Sequence, residues 1–356
     1  MERRRDSGGK EARLKQHEIT QAIPLLDEQG ELTQPGWARR LLPVYDRSRV
    51  RGVPLRLKER DCYLVMNRQC ALALTISDNR YMGMDSISLI DLWEGWQVTR
   101  SPMRLMPLGG TGLPQSSLRG SCARAGRGYG LLFQHEGEGR TLHAHMDRFR
   151  DGQALDAQIL LTQEPEESIV MCTPFEKPGQ FYFNQKINCM RAQGKVTLGD
   201  REYVFDPEDS FAVLDWGRGV WTCRSTWYWG SASGMVDGVP FGFNIGYGFG
   251  DTSAATENAL FYGGKLHKLS QVTFHIPRKN GREHYLAPWT FDSDDRRFRM
   301  KFRPILDRAA CPSAGVVRSG QHQVFGSFTG TAVLDDGTAV RLKELLGFAE
   351  KVDDRW

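Results

Sequence analysis

Apolar and polar residues alternate along this chain in short runs and do not recur at helical spacing. Runs at 62–66, 70–77, 81–92, 95–99, 129–135, 141–149 and 154–162 mix β-branched or aromatic residues with polar ones at near-alternate positions. Gly, Pro, Asn or Asp bounds each run, the signature of half-buried strands. A second series covers 181–191, 195–198, 211–216, 225–232, 239–249, 259–262, 265–276, 289–291, 298–304, 323–334 and 338–348. Turn pairs such as Asp237-Gly238, Gly263-Gly264, Asn280-Gly281 and Asp336-Gly337 separate its members. Short strands at this spacing predict an all-β protein built from antiparallel barrels or sandwiches. Only two turn-like segments, 207–210 and 253–258, read as short helices. Pro165, Pro174, Pro178 and Gly179 place a boundary within 164–179. The expected organisation is a basic tail over 1–18, a β-barrel or sandwich domain over 19–175, and a second domain over 176–356 with the main cavity.

Composition narrows the partners. Hydrophobic residues at 40% and charged residues at 25% are ordinary for a soluble globular protein, and 356 residues suit two domains. The net charge is +4, but residues 1–15 hold six Lys/Arg against three acids, so the body is nearly neutral. That argues against a nucleic-acid groove and leaves the tail as a solvated basic arm. Seven cysteines, at 62, 70, 122, 172, 189, 223 and 311, form no C-x-x-C pair and no zinc spacing. They read as buried thiols of a reducing compartment. With no sequon, no signal-peptide core and no apolar membrane-length run, the cytoplasm is the expected location, without an integral membrane segment.

The tract from Asp209 to His275 holds four of the nine tryptophans, Trp216, Trp221, Trp227 and Trp229. Among them stand Asp215, Arg218, Asn244, Glu257 and Asn258 in sequence otherwise made of Gly, aromatic and β-branched residues. Polar groups in such a setting are costly to bury alone, so at least three of these five are expected to converge beside Trp227 or Trp229. The alternative is a buried network that fixes the barrel, with Asp215 and Arg218 as a local ion pair. Upstream, FYFNQKINCM puts Asn184, Lys186 and Asn188 on one strand face with Tyr182, facing either inward or solvent. Gly246-x-Gly248-x-Gly250 bares one strand face to a ligand or a neighbouring strand. His143-x-His145-x-Asp147 shares a face and could ligate a metal, but no second His pair accompanies it, so no metal and no cofactor is expected. Phosphate-loop, G-x-S-x-G and H-E-x-x-H signatures are missing.

At these residues the chain resembles a known family. PLLDEQGEL with GWARR, FNQKINCMRAQGKV, LDWGRGVW with STWYWGSASG, FGFNIGYGFGD with TENALFYGGKLHKL, and the ending from VFGSFTGTAV to Trp356 are similar to the domain of unknown function 2804. That resemblance runs from about Glu18 to Trp356 and implies no activity. Asp215-Trp216-Gly217, then Trp227-Tyr228-Trp229, then Asp237-Gly238 more distantly resemble the carotenoid hydratase and AttH-like proteins. Those relatives carry an extra His or Gln between the Asp and the Trp, so the resemblance implies their fold, not their chemistry. The implied fold is two lipocalin-like antiparallel barrels or half-barrels with few short helices, the second walled by Asn184, Lys186, Asn188, Trp216, Trp227, Trp229, Asn244, Tyr247 and Asn258.

The function this suggests is binding of a hydrophobic small molecule of lipid, isoprenoid or polyketide type, with catalysis left open. A hydratase, isomerase or cyclase would use Glu257 or Asp215 as general acid and Arg218 or Lys186 to stabilise developing charge. A carbohydrate-binding β-module would instead hold the aromatics in an open groove, and a structural or interaction protein would have no pocket and a fully bonded polar cluster.

Overall fold

The alternation becomes two large antiparallel sheets. The computed structural model describes residues 15–355 apart from Val53, Glu138, Cys223, Cys311, Pro312, Gly315 and Val316. Most of the basic tail, residues 1–14, and two of the seven cysteines thus lie outside the described residues. Cys62, Cys70, Cys122, Cys172 and Cys189 are free thiols. Among the described residues every regular element is a strand except two single-turn 3-10 segments, Arg47–Arg49 and Pro54–Arg56. The segments expected as short helices, 207–210 and 253–258, are a turn and an irregular loop. Among the described residues no helix is long and apolar enough to cross a membrane.

The first sheet runs in the order Trp96–Arg100, Met82–Asp91, Cys70–Asp78, Lys58–Met66, Phe211–Val220, Phe181–Leu198, Gln153–Thr162, Arg140–Arg150, Tyr129–His135, Gly120–Gly126. Ile169–Pro174 pairs with Phe181–Leu198 and with Gly36–Ala38, so the proline-rich 164–179 segment is a connection within this sheet. The second sheet is built entirely from later strands, with Val239–Tyr247, Arg224–Val236, Ala339–Arg355, Val317–Val333 and Phe298–Ala310 as consecutive neighbours. The chain leaves the first sheet at Val220 and enters the second at Arg224. Both Phe181–Leu198 and Phe211–Val220 therefore belong to the first sheet.

Each sheet curls over its own apolar core. Phe181, Phe183, Leu214 and Trp216 belong to the first, and Phe243, Trp289, Phe302 and Phe328 to the second. A third cluster lies where the sheets meet, with Leu64 and Val213 from one and Trp229, Phe325 and Phe348 from the other. This explains why every residue of Phe211–Val220 is buried. One face of that strand lines the first core and the other meets the second sheet. Near-continuous burial on both faces obscures a period-two pattern.

Candidate functional site

Strand pairing sets the polar centre. Lys186 lies directly across from Asp215, and Gly217 across from Arg60. Lys186 Nζ donates to Asp215 Oδ1 at 2.6 Å, and Arg60 Nη2 donates to Asp215 Oδ2. Gly217 leaves room on the same face for the Tyr182 ring, which an added Cβ would approach to 3.1 Å. Lys186 and Asp215 are 5% and 1% exposed in their side chains, whereas Arg60 keeps 38% of its side chain accessible. Burial alone would raise the Asp215 pKa, but Lys186 and Arg60 overcome it and hold the carboxyl below its ordinary range.

The second sheet brings the aromatic wall and a second carboxyl. Lys186 Nζ lies 4.4 Å from the centre of the Trp229 ring. Trp229 Nε1 donates to Asn244 Oδ1 at 2.7 Å, and Asn244 Nδ2 donates to the Glu257 carbonyl at 2.9 Å and to Glu257 Oε2 at 3.2 Å. Gly246 makes room for this carboxyl, since a Cβ there would stand 2.5 Å from Glu257 Oε1. Glu257 thus fills the space beside Gly246, while Gly248 and Gly250 lie past the end of the strand, against the Thr226 carbonyl and the Thr173 side chain. Burial raises the Glu257 pKa, while Lys186 and the Asn244 hydrogen bond pull it partly back. Phe249 packs edge-on against Tyr182, Trp221 and Trp227, closing the aromatic side.

Between these groups lies a cavity of about 110 Å³ whose lining comes from both sheets. Lys186, Asp215, Trp227, Trp229 and Glu257, all expected from the sequence, face it, and Asn244 backs Glu257. Lys58, Arg60, Tyr182, Trp221, Phe249 and Asp354 also line it and were not expected. It is therefore not enclosed by the second sheet alone. A wider groove of about 340 Å³ elsewhere is lined by Arg68, Glu208, Asp209, Arg341 and Lys343, all solvent-exposed, and offers no buried titratable group.

The other expected residues are elsewhere. Arg218 and Trp216 point to the opposite strand face, into the first core, with the guanidinium 4.2 Å above the Trp216 ring. Arg218 donates to Asp61 Oδ1 at 2.8 Å and to the carbonyls of Arg60 and Pro114, so the expected Asp215–Arg218 pair does not form. Tyr247 stacks on Tyr228 at 4.5 Å against the second core. Asn188 donates to Ser231 Oγ and the Phe243 carbonyl, tying the sheets together. Asn258 accepts from Gly246 N and donates to the Ser270 carbonyl. Asn184 is buried in the cross-strand row of Gly217 and Arg60, outside the cavity lining. On the first sheet's surface, both nitrogens of His145 engage carboxylates, Asp156 at 2.7 Å and Asp147 at 3.0 Å.

The family's sequence model matches residues 16–356. The chain belongs to the domain of unknown function 2804 (DUF2804) family. No curated protein matches it in sequence. Among solved structures it is similar to a provisionally assigned AttH from Nitrosomonas europaea, at 12% identity and a TM-score of 0.50 over 83% of this chain and 92% of that one. It also matches kievitone hydratase from Nectria haematococca, at 10% identity and a TM-score of 0.47 over 94% of this chain and 98% of that one. At 12% identity the AttH likeness is one of fold, and this DUF2804 chain has the lipocalin-like two-sheet architecture that the sequence led us to expect.

Proposed function

We propose that the cavity between the sheets binds a hydrophobic small molecule of lipid, isoprenoid or polyketide type that carries an oxygen function, and that Glu257 acts on it as a general acid. One observation carries this reading. A buried carboxyl, its pKa raised by that burial, faces the same aromatic cavity as the Arg60 side chain. Apolar walls with a few fixed polar groups are the ordinary make-up of a small-molecule site. Asp215 is held ionised by two cations and serves to fix Lys186 and Arg60. Arg60 then meets the ligand oxygen, and Glu257 delivers its proton to an adjacent double bond.

The cation so formed lies against the Trp227 and Trp229 faces, where ring quadrupoles favour positive charge. Addition of water, or loss of a neighbouring proton, completes hydration or isomerisation, and the released proton returns to the Glu257 carboxylate. An open sugar-stacking platform fits less well, because Trp229 is only 8% exposed. Native mass spectrometry of the purified protein, followed by titration with an apolar ligand panel, tests the reading. The expected result is a retained or titratable ligand whose turnover Glu257→Gln abolishes without abolishing binding. Protein that is uniformly empty and has no affinity for the panel overturns it.

A further inference from the structure

The cavity is too small for a whole lipid or isoprenoid. Its volume of about 110 Å³ is well below the roughly 300–1,000 Å³ usual for pockets that enclose a small molecule. A ligand of that kind enters only if part of the wall gives way. Most of the wall is strand, which cannot move without breaking a ladder of hydrogen bonds. Of the lining residues, Asn79, Trp221, Phe249 and Glu257 stand outside the strands. Three of these are tied down. Asn79 N donates to the Met82 carbonyl within its hairpin at 2.8 Å. Trp221 follows directly on Phe211–Val220 and has Lys58 Nζ 5.1 Å from its ring centre. Glu257 takes both bonds from Asn244, and Thr256 N beside it donates to Gln16 Oε1 at 2.8 Å.

Phe249 is the exception. It sits between Gly248 and Gly250, whose φ angles of 93° and 82° are both left-handed. A Cβ on Gly248 would stand 2.5 Å from the Thr226 carbonyl oxygen, and one on Gly250 2.6 Å from Thr173 Cγ2. Thr226 belongs to the second sheet and Thr173 to the first, so glycine at both positions carries the chain from one sheet to the other. The span is short and anchored at each end. Tyr247 ends its strand stacked on Tyr228, and Asp251 N donates to the Pro174 carbonyl at 2.8 Å. Between these anchors Phe249 is held through its ring. That ring stands edge-on to three lining residues, with centroids 4.8 Å from Tyr182, 5.2 Å from Trp227 and 5.7 Å from Trp221. A fourth edge-on contact, 5.3 Å to Phe175, lies outside the lining.

Given that the cavity is a ligand site, as proposed above, we infer that Phe249 is its gate and sets the length of ligand it takes. The ring occupies the place of the ligand's apolar tail and swings out on the two glycines when a longer tail enters. Glycine suits such a hinge because it changes the sign of φ without a steric cost. The ligand is thereby divided in two. An oxygen-bearing head fits the space already open beside Arg60 and Glu257, and an apolar tail displaces Phe249 from Tyr182, Trp221 and Trp227.

Isothermal titration of the full chain with the straight-chain primary alcohols from butanol to dodecanol tests this. Each methylene buried in an open apolar site tightens binding by about fourfold. For wild type that rise is expected to break at a short chain, where the next methylene meets Phe249. In Phe249→Ala it should continue, so that the longest alcohols bind about tenfold or more tighter than to wild type while butanol binds alike. Phe249→Leu, which keeps an apolar side chain and disturbs the fold less, should give a profile between the two. Profiles for wild type and both variants that rise in parallel overturn the gate and leave the ligand site standing. Affinity lost at every length in both variants also overturns the gate, because it makes Phe249 a part of the binding wall. If no alcohol binds to wild type or to either variant, the ligand reading falls and the gate falls with it.

Discussion

Asp215 should be the least replaceable side chain of the cavity. Its carboxylate is almost wholly buried and answers two cations, Lys186 at 2.6 Å and Arg60. Asp215→Asn keeps the shape but leaves two positive groups facing one neutral amide. Removing one partner of a buried pair costs about 3–5 kcal/mol, because the remaining charge is left uncompensated. Unfolding entropy near ~2.1 cal/mol/K per residue gives a chain of this length roughly 0.7 kcal/mol/K, so that loss lowers the melting temperature by about 4–7 °C. Lys186→Met should cost less, since Asp215 keeps Arg60. The double variant should be more stable than Asp215→Asn, because only Arg60 is then left unpaired. Scanning calorimetry of the three variants near neutral pH reads this ordering. Additive losses, or an Asp215→Asn melting temperature within about a degree of wild type, would refute the argument. The sign with pH follows as well. The folded-state pKa of Asp215 lies below its ordinary 3.8, so the stabilisation is present above 3.8 and disappears as pH falls through the folded value.

Two further outcomes separate site from scaffold. The Glu257 pKa is raised above its ordinary 4.5, so its favourable contribution is complete below 4.5 and is lost as pH rises through the folded value; Glu257→Gln should therefore melt higher than wild type near about pH 8 and show no gain near about pH 4, read by calorimetry across that range. Arg218→Met should lower stability by about 3–5 kcal/mol in urea unfolding, because it strands Asp61 in the first core, while ligand affinity of the folded variant stays unchanged.

Much of this was legible in the chain. Alternation predicted the all-β class, and the odd composition of 209–275 singled out Asp215, Trp227, Trp229, Asn244 and Glu257. What misled was treating that tract as one wall. In a strand, neighbours part company: Asp215 turns to the cavity while Trp216 and Arg218 turn to the first core. Arg60 escaped notice for a related reason. Lys58-Glu59-Arg60-Asp61 reads as a solvated charge run, the usual meaning of four consecutive charges. Here the run is a strand buried on both faces, and its charges divide by parity. Which strand lies opposite, and hence that Arg60 reaches Asp215, depends on pairing between segments more than 150 residues apart, and local patterning does not encode that.

That division also explains what the buried charges do for the fold. Lys58–Met66 and Phe211–Val220 carry two charge sets on opposite faces. Arg60 meets Asp215 on the cavity side, and Asp61 meets Arg218 on the core side, with Glu59 directly across from Arg218 and 3.7 Å from it. A slip of one residue inverts every side chain of the moved strand. It would carry Arg218 toward the cavity cations and Asp215 into the first core beside Glu59 and Asp61, leaving like charges together in buried surroundings. Buried ion pairs add little net stability over apolar packing of the same volume, but a wrong register would leave several of them unpaired at several kcal/mol each. The charges therefore select one register between these two strands. Because Lys186 and Gly217 are placed by the same ladder, the register that satisfies Arg218 in the core is also the one that delivers Lys186, Asp215 and Arg60 to a single point in front of Trp229.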